Sequence, residues 1–207
     1  MHHMRLIVHY ILIQQLMSSY TNILEGTPQM LIPRQKTPDL SVPTLNGGTF
    51  DLGADQAENF TLVTFYRGLH CPICANYLKE LERLTPEFEQ RGVKTIALSS
   101  DGQERTQAMA DKIEAKNLRF GYDLSLSVAK EWGLFISTSR GTTSIGIEEP
   151  ALFSEPGVFL VRPDQTLYYA SVQTMPFIRP AFKEMVGAID FIMANDYPGR
   201  GEYIGEV

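Results

Sequence analysis

The chain has 207 residues, long enough for one domain with a sizeable core and short for two. Hydrophobic residues make up 43% and charged residues 20%, and no run of prolines, glycines or like charges marks a fibrous or low-complexity protein. A formal net charge of −6, with the lysines and arginines scattered, argues against a surface built to neutralise nucleic-acid phosphates.

Residues 5–17, "RLIVHYILIQQLM", form the first feature. The run is shorter than the roughly 20 apolar residues a membrane-spanning helix needs, and it contains His9, Gln14 and Gln15. The following "SSYTNILEGTPQ" offers at best a poor signal-cleavage site. Residues 1–29 therefore read as an N-terminal arm, helical, or an upstream extension, with a secretory signal as the alternative. Residues 30–207 read as the domain, and a cytoplasmic location without membrane association is expected.

"TPDLSVPTLNGGTFDL" (Thr37–Leu52) reads as a β-hairpin turning at Gly47-Gly48. "FTLVTFYR" (Phe60–Arg67) is a β-branched and aromatic run with little polar alternation, as in a strand buried on both faces. Pro72 suits the first turn of a helix, and Leu78, Leu81, Leu84 and Phe88 recur at helical spacing up to a stop at Gly92. "VKTIALSS" (Val93–Ser100) predicts a second buried strand, and Gly102–Asn117 an exposed helix. "LRFGYD" predicts a third strand and Leu126–Gly133 a short helix stopped by glycine. Residues 137–156 carry Ser, Thr, Gly and Pro without a period and read as one long connection. "GVFLV" and "TLYYASV" flank the turn "RPDQ", and Pro180–Asp196 predicts a last amphipathic helix. The order is ββαβαβα, then an antiparallel ββ and a final helix: a three-layer α/β/α sandwich around a central mixed sheet.

The only two cysteines, Cys71 and Cys74, fall in "RGLHCPICANYL", between the first buried strand and its helix. A C-x-x-C at that corner is the layout of the thioredoxin fold. A helix N-terminus lowers a thiol's pKa, and three-residue spacing lets two sulfurs close a disulfide. Two inert buried cysteines are the bland alternative. Metal is poorly served, since a zinc site needs three or four ligands and three of the four histidines lie in the arm. Arg67 and His70 flank the pair; facing the sulfurs, both would favour a thiolate.

Residues 33–195 resemble the peroxiredoxin-like branch of the alkyl hydroperoxide reductase and thiol-specific antioxidant (AhpC/TSA) family, within the thioredoxin-fold superfamily. "TPDLSVPTLNGGTFDL" is similar to the family's opening hairpin and "VTFYRGLHCPIC" to its catalytic strand and loop. "IALSSDGQER" is similar to its second strand with Ser-x-Asp, and "YDLSLSVAKEWGL" to the stretch before its variable loop. Laid on the family's Pro-x-x-x-Thr/Ser-x-x-Cys motif, Cys74 takes the peroxidatic position, Cys71 the threonine and Arg67 the proline. The arginine the family places just before "GVFLV" is missing, and the chain reads Ser154-Glu155-Pro156 there. Pro156 instead matches the cis-proline that packs beside the C-x-x-C of thioredoxins.

The resemblance implies thiol-dependent reduction of peroxides or disulfides by a Cys71/Cys74 dithiol cycle, without a cofactor or metal. It implies a thioredoxin- or glutaredoxin-type reductant and is compatible with a homodimer. The thioredoxin analogy makes Cys71 the attacker; the peroxiredoxin motif names Cys74. The alternatives are a disulfide reductase without peroxidase activity and a non-catalytic thiol redox sensor.

Overall fold

A computed structural model of the chain describes residues 30–207. The expected helical arm and the apolar run at 5–17 lie outside the described residues.

Six consecutive apolar or β-branched residues build the centre of the molecule. Strand β3 (Phe60–Phe65) is buried along its whole length because strands flank it on both edges and apolar layers cover both faces. It pairs in parallel with β4 (Val93–Leu98), Phe60 opposite Val93, and antiparallel with β8 (Gly157–Val161), Thr64 opposite Val158. The short β5 (Arg119–Gly121) extends the sheet beyond β4 in parallel, and β9 (Leu167–Val172) pairs antiparallel with β8. The result is a mixed five-stranded sheet of order β5-β4-β3-β8-β9. Ahead of it, β1 (Ser41–Pro43) and β2 (Thr49–Asp51) form the expected hairpin, whose Gly47 and Gly48 both take positive φ.

Alternation along β3 sends Phe60 and Leu62 to one face and Val63 and Phe65 to the other. On the first face lie α1 (Pro72–Glu89), α2 (Gln103–Lys112) and α4 (Phe182–Asn195), which contribute Leu78, Leu81, Phe88, Met109 and Phe182. The second face is covered by the β1–β2 hairpin and by α3 (Leu126–Glu131) with Trp132 just after it. Each such side chain removed from water contributes about 1.5–3 kcal/mol. The three-layer α/β/α sandwich expected from the element order is therefore the architecture observed.

Two elements differ from the sequence reading. Helix α2 ends at Lys112 rather than Asn117, because the buried Glu82 carboxylate of α1 collects the backbone N–H groups of Lys116, Asn117 and Leu118 and draws the chain out of the helix. The stretch 137–156 is not one open connection. Strands β6 (Ile136–Thr138) and β7 (Leu152–Ser154) pair antiparallel at its ends, and Thr142 bridges Glu148 nearer its tip. Among the described residues no helix is long and apolar enough to cross a membrane.

Candidate active site

The end of β3 and the start of α1 are joined by Tyr66 to Cys71, and local chemistry fixes the path of this corner. Tyr66 donates its N–H to the Leu98 carbonyl at 2.9 Å, which prolongs the β3–β4 ladder by one bond. Gly68 then turns with φ +135°, a region that side chains strongly disfavour. Its open α-carbon lets Asp101, buried at the end of β4, come close: Asp101 Oδ2 accepts the Leu69 N–H at 2.7 Å, while Oδ1 accepts from Arg105 Nε at 2.8 Å. The Cys71 N–H donates to the Gly68 carbonyl and closes the turn.

Cys71 is the N-cap of α1, with extended φ −100° and ψ 104°, and Pro72 takes the first helical position, where its missing N–H is no loss. The Cys71 Sγ accepts the Cys74 N–H at 3.2 Å, which is the bond a capping serine or threonine oxygen makes. Cys74 therefore sits in the first turn, where unpaired N–H groups and the helix dipole favour negative charge. Its Sγ in turn accepts a hydrogen bond from Arg179 Nη2 at 3.1 Å. Both cysteines are free thiols and almost completely buried.

The two sulfurs titrate as a pair. A hydrogen bond from the Cys74 thiol, aided by the Cys74 N–H and the charges of Arg179 and Arg67, lowers the Cys71 pKa to about 6 in spite of its burial. Burial and the proton it shares with Cys71 push Cys74 well above the ordinary thiol value, with Arg179 working against that rise. Near neutral pH one negative charge thus resides on the pair, carried by Cys71, with the remaining proton on Cys74.

The flanking residues take different parts. Arg67 turns to two buried carboxylates, Glu149 at 3.3 Å and Glu155 at 3.4 Å, and stacks over Phe153 at 4.6 Å from the ring centroid. Glu149 also accepts the Arg140 N–H, and Glu155 accepts from Ser137 Oγ, so this cluster ties the 137–156 hairpin to the cysteine loop. Arg67 acts on Cys71 through its charge only. His70 is fully buried with both ring nitrogens unpartnered, packs edgewise on Phe153 at 4.7 Å, and has its pKa lowered to about 4 by burial and by the Arg67 charge. It is neutral near pH 7 and supplies no positive charge to the sulfurs. Pro156 joins β7 to β8, and its carbonyl accepts the Gln173 N–H. No cis peptide is present among the described residues, so the bond before Pro156 is trans and the expected cis-proline is corrected.

Arg179 is the site residue that sequence reasoning missed. It lies 105 positions after Cys74, in the segment leading into α4, and no spacing or motif connects the two. Asp101 was visible only as part of a Ser-x-Asp resemblance, without its role as an anchor for the loop.

Comparison with known proteins agrees with this layout. A model of the AhpC/TSA family matches residues 33–170. The 1-Cys peroxiredoxin of Dictyostelium discoideum is 28% identical over 130 residues, which cover 60% of this chain and 49% of that protein. The chain thus spans about half the length of that relative, and a smaller share, 27%, of a probable 1-Cys peroxiredoxin from Syntrichia ruralis. Among solved structures, peroxiredoxin 6 of Arenicola marina superposes with a TM-score of 0.63 at 19% identity, covering 80% of this chain and 76% of that one. The reduced 2-Cys peroxiredoxin of Plasmodium vivax gives 0.64 at 15% identity, covering 81% and 84%. At these identities the two structures speak for the fold.

Proposed function

The chain belongs to the AhpC/TSA family, and from that membership we propose that it is a thiol-dependent antioxidant oxidoreductase that reduces hydroperoxides through Cys71 and Cys74. The observation that carries this reading is the Cys71 sulfur at the N-cap of α1, accepting the Cys74 N–H and lowered to a pKa of about 6. A thiolate is the nucleophilic form of cysteine. In the proposed cycle the Cys71 thiolate attacks one peroxide oxygen; an S–O bond forms, the O–O bond breaks, and the leaving oxygen takes the proton held on Cys74. Cys74, now a thiolate, attacks the sulfenic sulfur and expels hydroxide, which a solvent proton converts to water. The product is a Cys71–Cys74 disulfide, to be returned to the dithiol by a thioredoxin- or glutaredoxin-type reductant in a reducing compartment such as the cytoplasm.

A second reading is a one-cysteine cycle, after the name of the Dictyostelium relative. Arg179 donating to Cys74, the position of the family's reactive cysteine, favours it. There Cys74 would be oxidised and an external thiol would resolve it.

Treating the reduced protein with substoichiometric hydrogen peroxide, capping remaining thiols and mapping peptides by mass separates the two. The dithiol cycle gives an internal disulfide in the wild type and a sulfenic acid on Cys71 in Cys74→Ala. Undiminished turnover in Cys71→Ser, with none in Cys74→Ser, establishes the one-cysteine cycle and rejects the first reading.

A further inference from the structure

The family resemblance leaves this chain without an arginine before β8, yet a guanidinium reaches the sulfurs from another part of the fold. We propose that Arg179 is a catalytic residue: its Nη2 supports the negative charge shared by the two sulfurs, and its Nη1 receives the oxygen that leaves as the peroxide bond breaks. The second half rests on the peroxide-reduction reading above; the first half does not.

Three observations carry it. Arg179 donates to Cys74 Sγ at 3.1 Å, and among the described residues it forms no ion pair with a carboxylate, whereas Arg67 next to the same loop meets two. The sulfur pair is therefore the anion this cation serves. Its Nη1 is buried and has no acceptor, although buried donors are rarely left so. Because the two Nη atoms share one carbon, this free donor lies beside the Cys74 sulfur, where an oxygen leaving the neighbouring Cys71 would carry its charge. Finally, the guanidinium is held in place from two sides, as Nε donates to the Pro176 carbonyl at 2.9 Å and Cζ lies 4.9 Å from the centroid of the Tyr77 ring. Tyr77 itself is fixed by a 2.7 Å bond from its hydroxyl to the Pro180 carbonyl and by stacking on Phe182. A fixed donor aimed at developing charge needs no reorganisation at the moment of reaction.

The leaving oxygen departs with the electron pair of the O–O bond as hydroxide or alkoxide, hydrogen-bonds to Arg179 Nη1, and is neutralised by the Cys74 proton. Arg179 itself is neither oxidised nor deprotonated.

The test compares Arg179→Met and Arg179→Lys with the wild type and with Arg83→Met, an exposed α1 arginine remote from the sulfurs. Two rates are read on reduced protein: alkylation by iodoacetamide across pH, and single-turnover oxidation by hydrogen peroxide. The groups that bear on the alkylation profile are Cys71, Cys74, Tyr66, Arg67, Arg179 and the neutral His70. In Arg179→Met the alkylation midpoint moves up, while the limiting rate at pH 9 stays within about threefold of wild type. Peroxide oxidation at pH 9 falls by about 100-fold, the order found on removing one such donor. Arg179→Lys, which keeps the charge and gives a folded comparison should the methionine variant fail to fold, falls by less and shifts the midpoint by less. An unshifted midpoint with oxidation within threefold of wild type overturns the proposal. Equal losses of alkylation and oxidation at pH 9 overturn it in favour of a structural role. A wild type that alkylates with a low midpoint yet never reacts with peroxide overturns the peroxide reading and the oxygen-binding half, while the shift in Arg179→Met still decides the sulfur half.

Discussion

His70→Leu isolates a buried group that proximity alone would place in the chemistry. The ring is sealed against Phe153 with neither nitrogen partnered, so the charged form finds no water, and its pKa falls from 6.5 to about 4. At 1.36 kcal/mol per pH unit the difference amounts to about 3.4 kcal/mol. Since the folded value lies below the unfolded one, the unfolded chain binds the extra proton between pH 6.5 and 4. The stability present above pH 6.5 is therefore lost as the pH falls through this window, and below about pH 4 both states are protonated and the loss stops. Integrated from pH 7.5 to 4.5, His70 alone costs the wild type about 2.5 kcal/mol. With a urea dependence of about 2–3 kcal/mol per molar, the midpoint should fall by roughly 1 M more in the wild type than in His70→Leu. At pH 7.5 the variant should be at least as stable, because leucine removes two orphaned nitrogens from the core. Urea titrations of both proteins at the two pH values measure this; parallel losses would refute a buried neutral histidine, and a changed Cys71 alkylation midpoint in the variant would refute its separation from the sulfurs.

Gly68→Ala should destabilise the fold by about 1–3 kcal/mol, since φ is +135° and an added Cβ would meet Asp101 Oδ2 at 2.7 Å; thermal denaturation reads the loss. Arg67→Met should cost about 3–5 kcal/mol in chemical denaturation, because Glu149 and Glu155 are left buried without their cation. Cys74→Ala removes the thiol that donates to Cys71 but keeps the backbone N–H, so the Cys71 pKa should rise part of the way from about 6 toward the ordinary value. Iodoacetamide labelling near pH 6.5 should slow severalfold, with the limiting rate at high pH unchanged.

What could be seen in the sequence was what local physics determines. The strands β3 and β4 announce themselves because burial on both faces demands unbroken apolar runs, and α1 because Leu78, Leu81, Leu84 and Phe88 share one face behind Pro72. The hairpin at Gly47-Gly48 follows from the positive φ that its turn needs. Strands β6 and β7 were hidden because three residues each, much of them Ser and Thr, are too few to show a period. The end of α2 depends on a carboxylate more than 30 residues upstream, beyond any local cap signal. His70 reads as a cation in sequence and as a packing ring in structure, since its charge state depends on a Phe153 wall that only folding brings to it. Arg179 was unreadable for the same reason, being set beside Cys74 by the packing of α4 against α1 through Tyr77 and Phe182.

The position of Cys71 explains how the same few atoms serve structure and the proposed chemistry. An N-cap must present an acceptor to the first-turn N–H groups, and a threonine or serine oxygen does so without ever carrying charge. Sulfur makes the same bond at 3.2 Å and can also ionise, so the capping contact doubles as stabilisation of a thiolate. That substitution removes the hydroxyl which the family's motif uses to orient a peroxide, but it places a second thiol against Cys74, where a proton can be held and a disulfide closed. The compensation has to come from elsewhere. Arg67 is already neutralised by Glu149 and Glu155, and His70 is uncharged, so the cation that remains beside the sulfurs is Arg179. A chain that exchanges threonine for cysteine at this corner, and lacks the arginine before β8, therefore keeps a reactive site only because α4 brings a guanidinium back to it.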